Sequence, residues 1–321
     1  MEYRRLGSTG LKVSELCLGT MTFKWTSSER DSHATLSAFA DAGGTFIDTA
    51  DVYTRWAPGN PGGTAEALIG DWLRGRARDQ FVIATKCRGA MGSGPNDQGA
   101  SRLHIVSALE ASLRRLGTDY VDLYQIHSAD YDTPPEETLR ALDDLVSAGK
   151  VRYVGCSNYP AWWLMKSLWA SERGRLIRFE CLQPHYNLMN RAEFERELAH
   201  VVADQKLGVI PYSPLAGGFL TGKYAAGASI EGTRGASSAR VKGWIDHPRG
   251  QSVLAALGAI ATRNGKNIAA TALAWQLSNP LITAPIIGAN TVEQLNTLLG
   301  AVGYRLNASD MAALNDASKW E

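Results

Sequence analysis

The 321-residue chain is 45% hydrophobic and 20% charged, with a formal net charge of +1, a balance that supplies a sizeable core and excludes a disordered chain or one built to bind polyanions. No uncharged segment is long enough to span a bilayer, and the opening Met1-Glu2-Tyr3-Arg4-Arg5-Leu6-Gly7 lacks the apolar core of a signal peptide. A cytoplasmic protein with a small-molecule partner, and with neither nucleic acid nor membrane, is therefore expected; the oligomeric state is not legible.

From Tyr3 to Val13, short apolar pieces punctuated by Gly7 and Gly10 predict a hairpin. Short apolar runs then recur at residues 16–18, 46–50, 81–85, 121–126, 151–156, 179–182, 209–212 and 285–287. Their lengths suit buried parallel strands. Between them, amphipathic stretches at 29–41, 64–73, 102–116, 136–148 and 192–205 predict helices, with Pro134-Pro135 opening one and Gly43, Gly75, Gly117 and Gly149 closing others. Eight strands alternating with helices and no dividing linker predict one domain over 1–321, a single closed (β/α)8 TIM barrel rather than an open doubly wound sheet. Two glycine-rich stretches, 88–99 and 217–243, follow strands and predict long loops at the active face.

The four cysteines, Cys17, Cys87, Cys156 and Cys181, contain no Cys-x-x-Cys pair and read as reduced, buried thiols. In a barrel the reactive face lies at the strand C-termini, so the polar residue ending each run carries the functional signal. These residues are Asp48, Lys86, His127, Ser157-Asn158, Gln183, Ser213 and Gly288. Any one has an ordinary explanation as a structural pair or loop cap. Asp48, Lys86 and His127 on successive strands, with Tyr53 in the loop after the first, are harder to dismiss as a set. Together they support proton donation by a phenol: a neighbouring lysine ammonium favours phenolate and should bring the Tyr53 pKa down, Asp48 would keep Lys86 charged, and His127 can hydrogen-bond the phenol or a substrate carbonyl. An aldehyde or ketone is the apt substrate.

Phe46 to Tyr53, Thr85-Lys86, Gln125-Ile126-His127, Gly155-Cys156-Ser157-Asn158, Gln183, Tyr212-Ser213-Pro214-Leu215 and Ile286-Ile287-Gly288, in this order, resemble the aldo-keto reductase superfamily. Gly217-Gly218-Phe219-Leu220-Thr221-Gly222-Lys223-Tyr224 is similar to its bacterial branch related to the potassium-channel β subunits. The resemblance implies a tetrad in which Tyr53 donates the proton, Lys86 and Asp48 tune it, and His127 orients the carbonyl. It also implies a nicotinamide cofactor held without a Gly-x-Gly-x-x-Gly fingerprint. Ser157, Asn158 and Gln183 would hold the carboxamide and Tyr212 would stack on the ring. Ser213, Leu215, Gly217, Lys223 and Arg234, with Gly288, Asn290 and Gln294, would serve the pyrophosphate and adenosine. Relatives usually carry an arginine, lysine or serine around Asn290 and an acid-Asn pair where this chain has Thr297-Leu298. NADPH is favoured on Lys223, Arg234 and Gln294, with NADH possible.

Phe23, Trp25, Trp56, Tyr159 and Trp244 fall near the expected mouth and suit an apolar or ring-bearing carbonyl, whereas Trp162-Trp163, inside a helical stretch, reads as packing. Three other readings compete. A lysine-dependent aldolase through Lys86 leaves Ser157, Asn158, Gln183 and Tyr212 without a shared role. A metal-dependent hydrolase finds no His-x-His pair among the six histidines. A nucleotide-sensing partner subunit with little turnover would need a docking extension, and none is apparent.

Overall fold

The computed structural model of the chain describes residues 1–224, 231 and 238–320. Strands β1 (Tyr3–Arg5) and β2 (Lys12–Ser14) pair antiparallel, forming the expected N-terminal hairpin. Eight parallel strands follow: β3 (Cys17–Gly19), β4 (Phe46–Asp48), β5 (Val82–Cys87), β6 (Val121–Ile126), β7 (Val151–Ser157), β8 (Cys181–Gln183), β9 (Gly208–Val209) and β10 (Ile286–Ile287). Each lies beside the next from β3 to β9, and β10 returns to β3. The amides of Thr283 and Ile286 donate to the carbonyls of Val209 and Pro211 at 2.8 and 2.9 Å. These bonds join the two edge strands, so the sheet is a (β/α)8 barrel and not an open doubly wound sheet.

The helices are α1 (Glu29–Asp41), α2 (Thr64–Leu73), α3 (Arg102–Leu116), α4 (Pro135–Ser147), α5 (Ala161–Gly174), α6 (Ala199–Gln205), α7 (Ala239–Asp246), α8 (Pro248–Arg263), α9 (Ile268–Leu277), α10 (Val292–Leu299) and α11 (Ala308–Ala317). Local chemistry sets their ends. Ser28 and Ser101 accept the backbone N–H three residues on and cap α1 and α3, while Gly117, at φ 64°, closes α3. The expected helix over 192–205 is interrupted: Phe194–Leu198 forms a wider π turn before α6. Helix α9 escapes a periodicity search because every residue from Ala269 to Leu277 is buried, leaving no polar face to mark it.

Side chains alternate across the strands and create two cores. Phe46, Val82, Ala84, Leu123, Cys181 and Ile286 point into the barrel, where Leu6 and Val13 of the hairpin join them. Ile47, Ile83, Tyr124, Val154 and Leu182, of the opposite parity, pack against the helices. All four cysteines are free and buried. Following the inward parity toward the strand C-termini, Phe46 gives way to Asp48, Ala84 to Lys86, Leu123 to Gln125, and Cys181 to Gln183. The barrel interior therefore changes from apolar to polar along its own axis.

Candidate active site

Lys86, fully buried at the end of β5, is the hub of this polar layer. Its Nζ donates to Asp48 Oδ2 at 2.6 Å, to the Thr49 carbonyl at 2.7 Å and to Tyr53 Oη at 2.8 Å. The three ammonium protons thus have three acceptors, which satisfies a charge that would otherwise be costly to bury. Burial alone would lower the Lys86 pKa, but Asp48 and then Tyr53 outweigh it and leave the pKa raised, so the amine stays charged. Asp48, also buried, receives Gln183 Nε2 at 2.9 Å and Gln125 Nε2 at 3.3 Å on Oδ1, and Tyr53 Oη lies 3.4 Å from Oδ2. Gln125 reaches it because β7 carries Gly155 alongside: a Cβ there would stand 3.3 Å from Gln125 Cγ and 2.9 Å from the Cys181 carbonyl.

The Tyr53 pKa moves opposite to the expected direction. Burial raises it, Lys86 pulls it down and Asp48 raises it again, and the net result is pushed up to about 12. Desolvation wins because the phenol is only 8% exposed. Tyr53 therefore holds its proton at neutral pH. His127 sits beside it, with ring centroids 5.9 Å apart at 72°. Its own pKa is lowered to about 3 by burial, then by Lys86 and by Arg88, so the imidazole is neutral and can donate or accept one hydrogen bond without carrying charge. Strand parity brings Asp48, Lys86 and His127 together, and the loop after β4 returns Tyr53 to them.

A second group adjoins the first at the ends of β7 and β8. Ser157 Oγ donates to the Gln183 carbonyl at 2.8 Å, Asn158 Nδ2 donates to the His127 carbonyl at 2.9 Å and to Ser157 Oγ at 3.0 Å, and Tyr212 Oη donates to Asn158 Oδ1 at 2.9 Å. Asn158 is left-handed at φ 52°, a conformation asparagine tolerates. The Tyr212 ring is backed by His185, stacked at 5.0 Å and 7°. After β9 the chain turns through Ser213, Leu215, Ala216, Gly217 and Gly218, of which Ser213, Ala216, Gly217 and Gly218 have φ of 54°, 51°, 65° and 93°. The Ala216 and Gly218 amides donate within the turn to the Ser213 and Leu215 carbonyls at 2.9 Å, and a turn of this kind can present its remaining amides to an anion. A Cβ on Gly218 would lie 3.5 Å from Lys223 Nζ, which places a cation beside the run. An aromatic ring, convergent amide and hydroxyl groups, and an amide-rich turn with a lysine fit a nicotinamide dinucleotide in kind.

Gly288 follows β10 with open space where a side chain would be. Asn290 N donates to Gln294 Oε1 at 2.9 Å, its side chain meets Thr26, and Ser27 bonds its carbonyl, so both residues brace the start of α10. Arg234 lies outside the described residues. Of the aromatics, Trp56 touches Tyr53 edge-on at 6.3 Å and Trp25 touches Trp56 at 5.5 Å, and both are exposed at the mouth. Phe23 and Tyr159 are instead in the core, Tyr159 against Phe179 at 5.5 Å, because burial of a large ring wins over display. Trp244 packs on Phe219 from α7, without a ring contact to Tyr53. Trp163 is buried, and the exposed Trp162 stacks on Tyr131. Sequence reasoning gave no role to Gln125, two residues before His127 on the same parity, or to Asp51, although both lie inside the quoted motifs. It also gave none to Arg88, two residues beyond Lys86.

A buried charged lysine bridging a carboxylate and a neutral phenol, with a neutral imidazole at the mouth of a (β/α)8 barrel, defines a carbonyl-handling oxidoreductase of the barrel class. The aldo/keto reductase family model matches residues 15–319, and this chain belongs to that family. Its members are carbonyl-reducing oxidoreductases that use nicotinamide cofactors. The chain is 41% identical to "Uncharacterized oxidoreductase YrpG" of Bacillus subtilis, over 98% of this chain and 95% of the relative. It is 36% identical to "Probable voltage-gated potassium channel subunit beta" of Arabidopsis thaliana, over 94% and 91%. To "Versiconal hemiacetal acetate reductase" of Aspergillus parasiticus it is 32% identical, over 98% and 96%. Among the described residues no helix is long and apolar enough to cross a membrane.

Proposed function

We propose that this chain, acting as one reductase domain, reduces an aldehyde or ketone to the alcohol, with NADPH preferred over NADH and with Tyr53 as the proton donor. The observation that carries the reading is the buried chain from Asp48 through Lys86 to Tyr53, whose phenol is protonated, 2.8 Å from an ammonium. The bound nicotinamide would supply the hydride. Ser157, Asn158 and Gln183 would hold its carboxamide, Tyr212 would back the ring, and Ser213, Leu215, Gly217 and Lys223 would meet the phosphates, with Gly288, Asn290 and Gln294 toward the adenosine.

The carbonyl oxygen would accept hydrogen bonds from Tyr53 Oη and from the neutral His127 imidazole, which polarise it. As negative charge develops on that oxygen, Tyr53 gives up its proton. The phenolate left behind faces Lys86 Nζ, which stabilises it at that moment more than it stabilises the neutral phenol. Asp48, fixed by Gln125 and Gln183, keeps the ammonium in place throughout. This arrangement argues against an aldolase, since a Schiff base needs a neutral amine and Lys86 is held charged.

The preference for NADPH rests on Lys223 beside the left-handed run and on Gln294. The test measures consumption of NADPH and NADH against a panel of aldehydes and ketones. NADPH turnover with at least one carbonyl is expected, and kcat/KM should fall on exchange for NADH. Equal rates with the two cofactors would remove the preference, and no turnover with any carbonyl would leave the sensing role as the better reading.

A further inference from the structure

Arg88 is the residue the tetrad does not use. It follows β5 directly and has φ 114°, in the region L side chains disfavour, yet it is not glycine. The strain is imposed by the loop: the Arg88 carbonyl accepts the Gly99 amide at 2.9 Å, closing 88–99 into a ring of chain, and Arg55 donates from the Tyr53 loop to the Ala90 carbonyl. Backbone conformation of this kind is retained where the side chain it aims has a use.

Arg88 adjoins His127 through the backbone, and its charge helps burial and Lys86 to lower the His127 pKa. The His127 amide donates at 2.9 Å to the carbonyl of Cys87, whose peptide bond supplies the Arg88 nitrogen. Arg88 is half-buried and its Nε is shielded from solvent, yet among the described residues its side chain makes no hydrogen bond and no ion pair. Asp130 feels its charge, and that carboxylate is already engaged: Oδ2 accepts the Ala100 amide at 2.6 Å and Thr133 Oγ1 at 2.9 Å, and Oδ1 accepts the Asp132 amide at 3.2 Å. A guanidinium with a shielded Nε and no acceptor for its terminal nitrogens is unfavourable unless a ligand supplies one.

We propose that Arg88 is a specificity-determining residue that binds a carboxylate on the substrate, so that the preferred carbonyl compound is an oxo acid whose carbonyl meets Tyr53 and His127 while its carboxylate meets the Arg88 fork. The two terminal nitrogens, which are not shielded as Nε is, match the two oxygens of a carboxylate, which is why a carboxylate is favoured over a single-point anion. The Trp56 ring, which touches Tyr53, and the Trp25 ring behind it offer an apolar wall, so the carbon skeleton of the substrate can be apolar or aromatic. This inference rests on the carbonyl-reductase reading and adds a charge to its substrate.

The test compares 4-formylbenzoate with its neutral methyl ester, in the wild type and in Arg88→Met, Arg88→Lys and Arg88→Gly. Turnover with NADPH gives kcat/KM, and calorimetric titration with the oxidised cofactor present gives binding without turnover. The wild type should favour the carboxylate. The ratio of the two substrates should fall about tenfold or more in Arg88→Met, chiefly through KM, with Arg88→Lys in between because it keeps charge and loses the fork. Arg88→Gly relaxes the φ of 114° and should fold at least as well as the wild type while losing the same preference. A ratio unchanged across all four proteins, or no binding of either aldehyde by the wild type, overturns the proposal. Preferential binding of formylbenzoate that Arg88→Met abolishes, without turnover of either aldehyde, supports the anion site and sinks the reductase reading instead.

Discussion

Asp48 and Asp51 stand three residues apart, both buried, and their surroundings are opposite. Asp48 accepts from Lys86, Gln125 and Gln183, whereas neither oxygen of Asp51 accepts a well-formed hydrogen bond among the described residues, and the adjacent Val52 amide gives it only a weak contact. Burial and then Glu66 push the Asp51 carboxyl up to about 8, against weaker lowering by the Val52 amide, Arg115 and Lys86. Arg115 does little for it because its Nε donates to Glu66 at 2.7 Å. One turn of chain thus carries a carboxylate bound on both oxygens and a carboxyl kept neutral by its neighbours. Parity explains the split: Asp48 faces the barrel interior, where the amides and the lysine are, and Asp51 lies beyond the strand, toward α2 and α3.

The largest test of this contrast is on the chemistry that Asp48 supports. Tyr53→Phe should lower kcat/KM for carbonyl reduction by about 10²- to 10⁴-fold, as loss of a general acid does, while cofactor binding read by tryptophan quenching is kept. Reduction at the wild-type rate would place the donor elsewhere. Next in size, Asp48→Ala strands the Lys86 ammonium in the barrel without its counter-charge. Denaturant titration should show a loss of about 3–5 kcal/mol, the usual result of breaking a buried pair from one side. An Asp48→Ala protein as stable as the wild type would mean that the pair contributes little to the fold.

Much of this was legible in the sequence, for identifiable reasons. The barrel followed from runs such as 121–126, where strand limits coincide with the apolar run, and the tetrad followed from polar residues ending those runs. Three things were not legible. The direction of the Tyr53 pKa depends on desolvation, which a list of neighbours does not contain. Phe23 and Tyr159 are buried in the core, and an aromatic ring beside a loop reads the same in sequence whether it is buried or displayed. Asp51 looks like Asp48 in sequence, and only the positions of Glu66, Arg115 and the strand end separate them.

The smallest expected effect is also the most specific to Asp51. The groups that face it are Glu66 on α2, Arg115 on α3, Lys86 and Cys87 on β5, and Tyr124 on β6. Below about pH 4 the carboxyl is protonated in both the folded and the unfolded chain and does not affect stability. From there to about pH 8 the unfolded chain loses the proton and the folded chain keeps it, so stability falls as pH rises. Above that, both forms are ionised and the penalty is complete. Asp51→Asn removes the titration: its melting temperature should exceed that of the wild type by a margin that widens from pH 5 to pH 8 and then levels. A margin that is constant with pH would mean that Asp51 is already ionised in the folded chain, paired through a contact equivalent to those of Asp48, and the contrast between the two carboxylates would collapse.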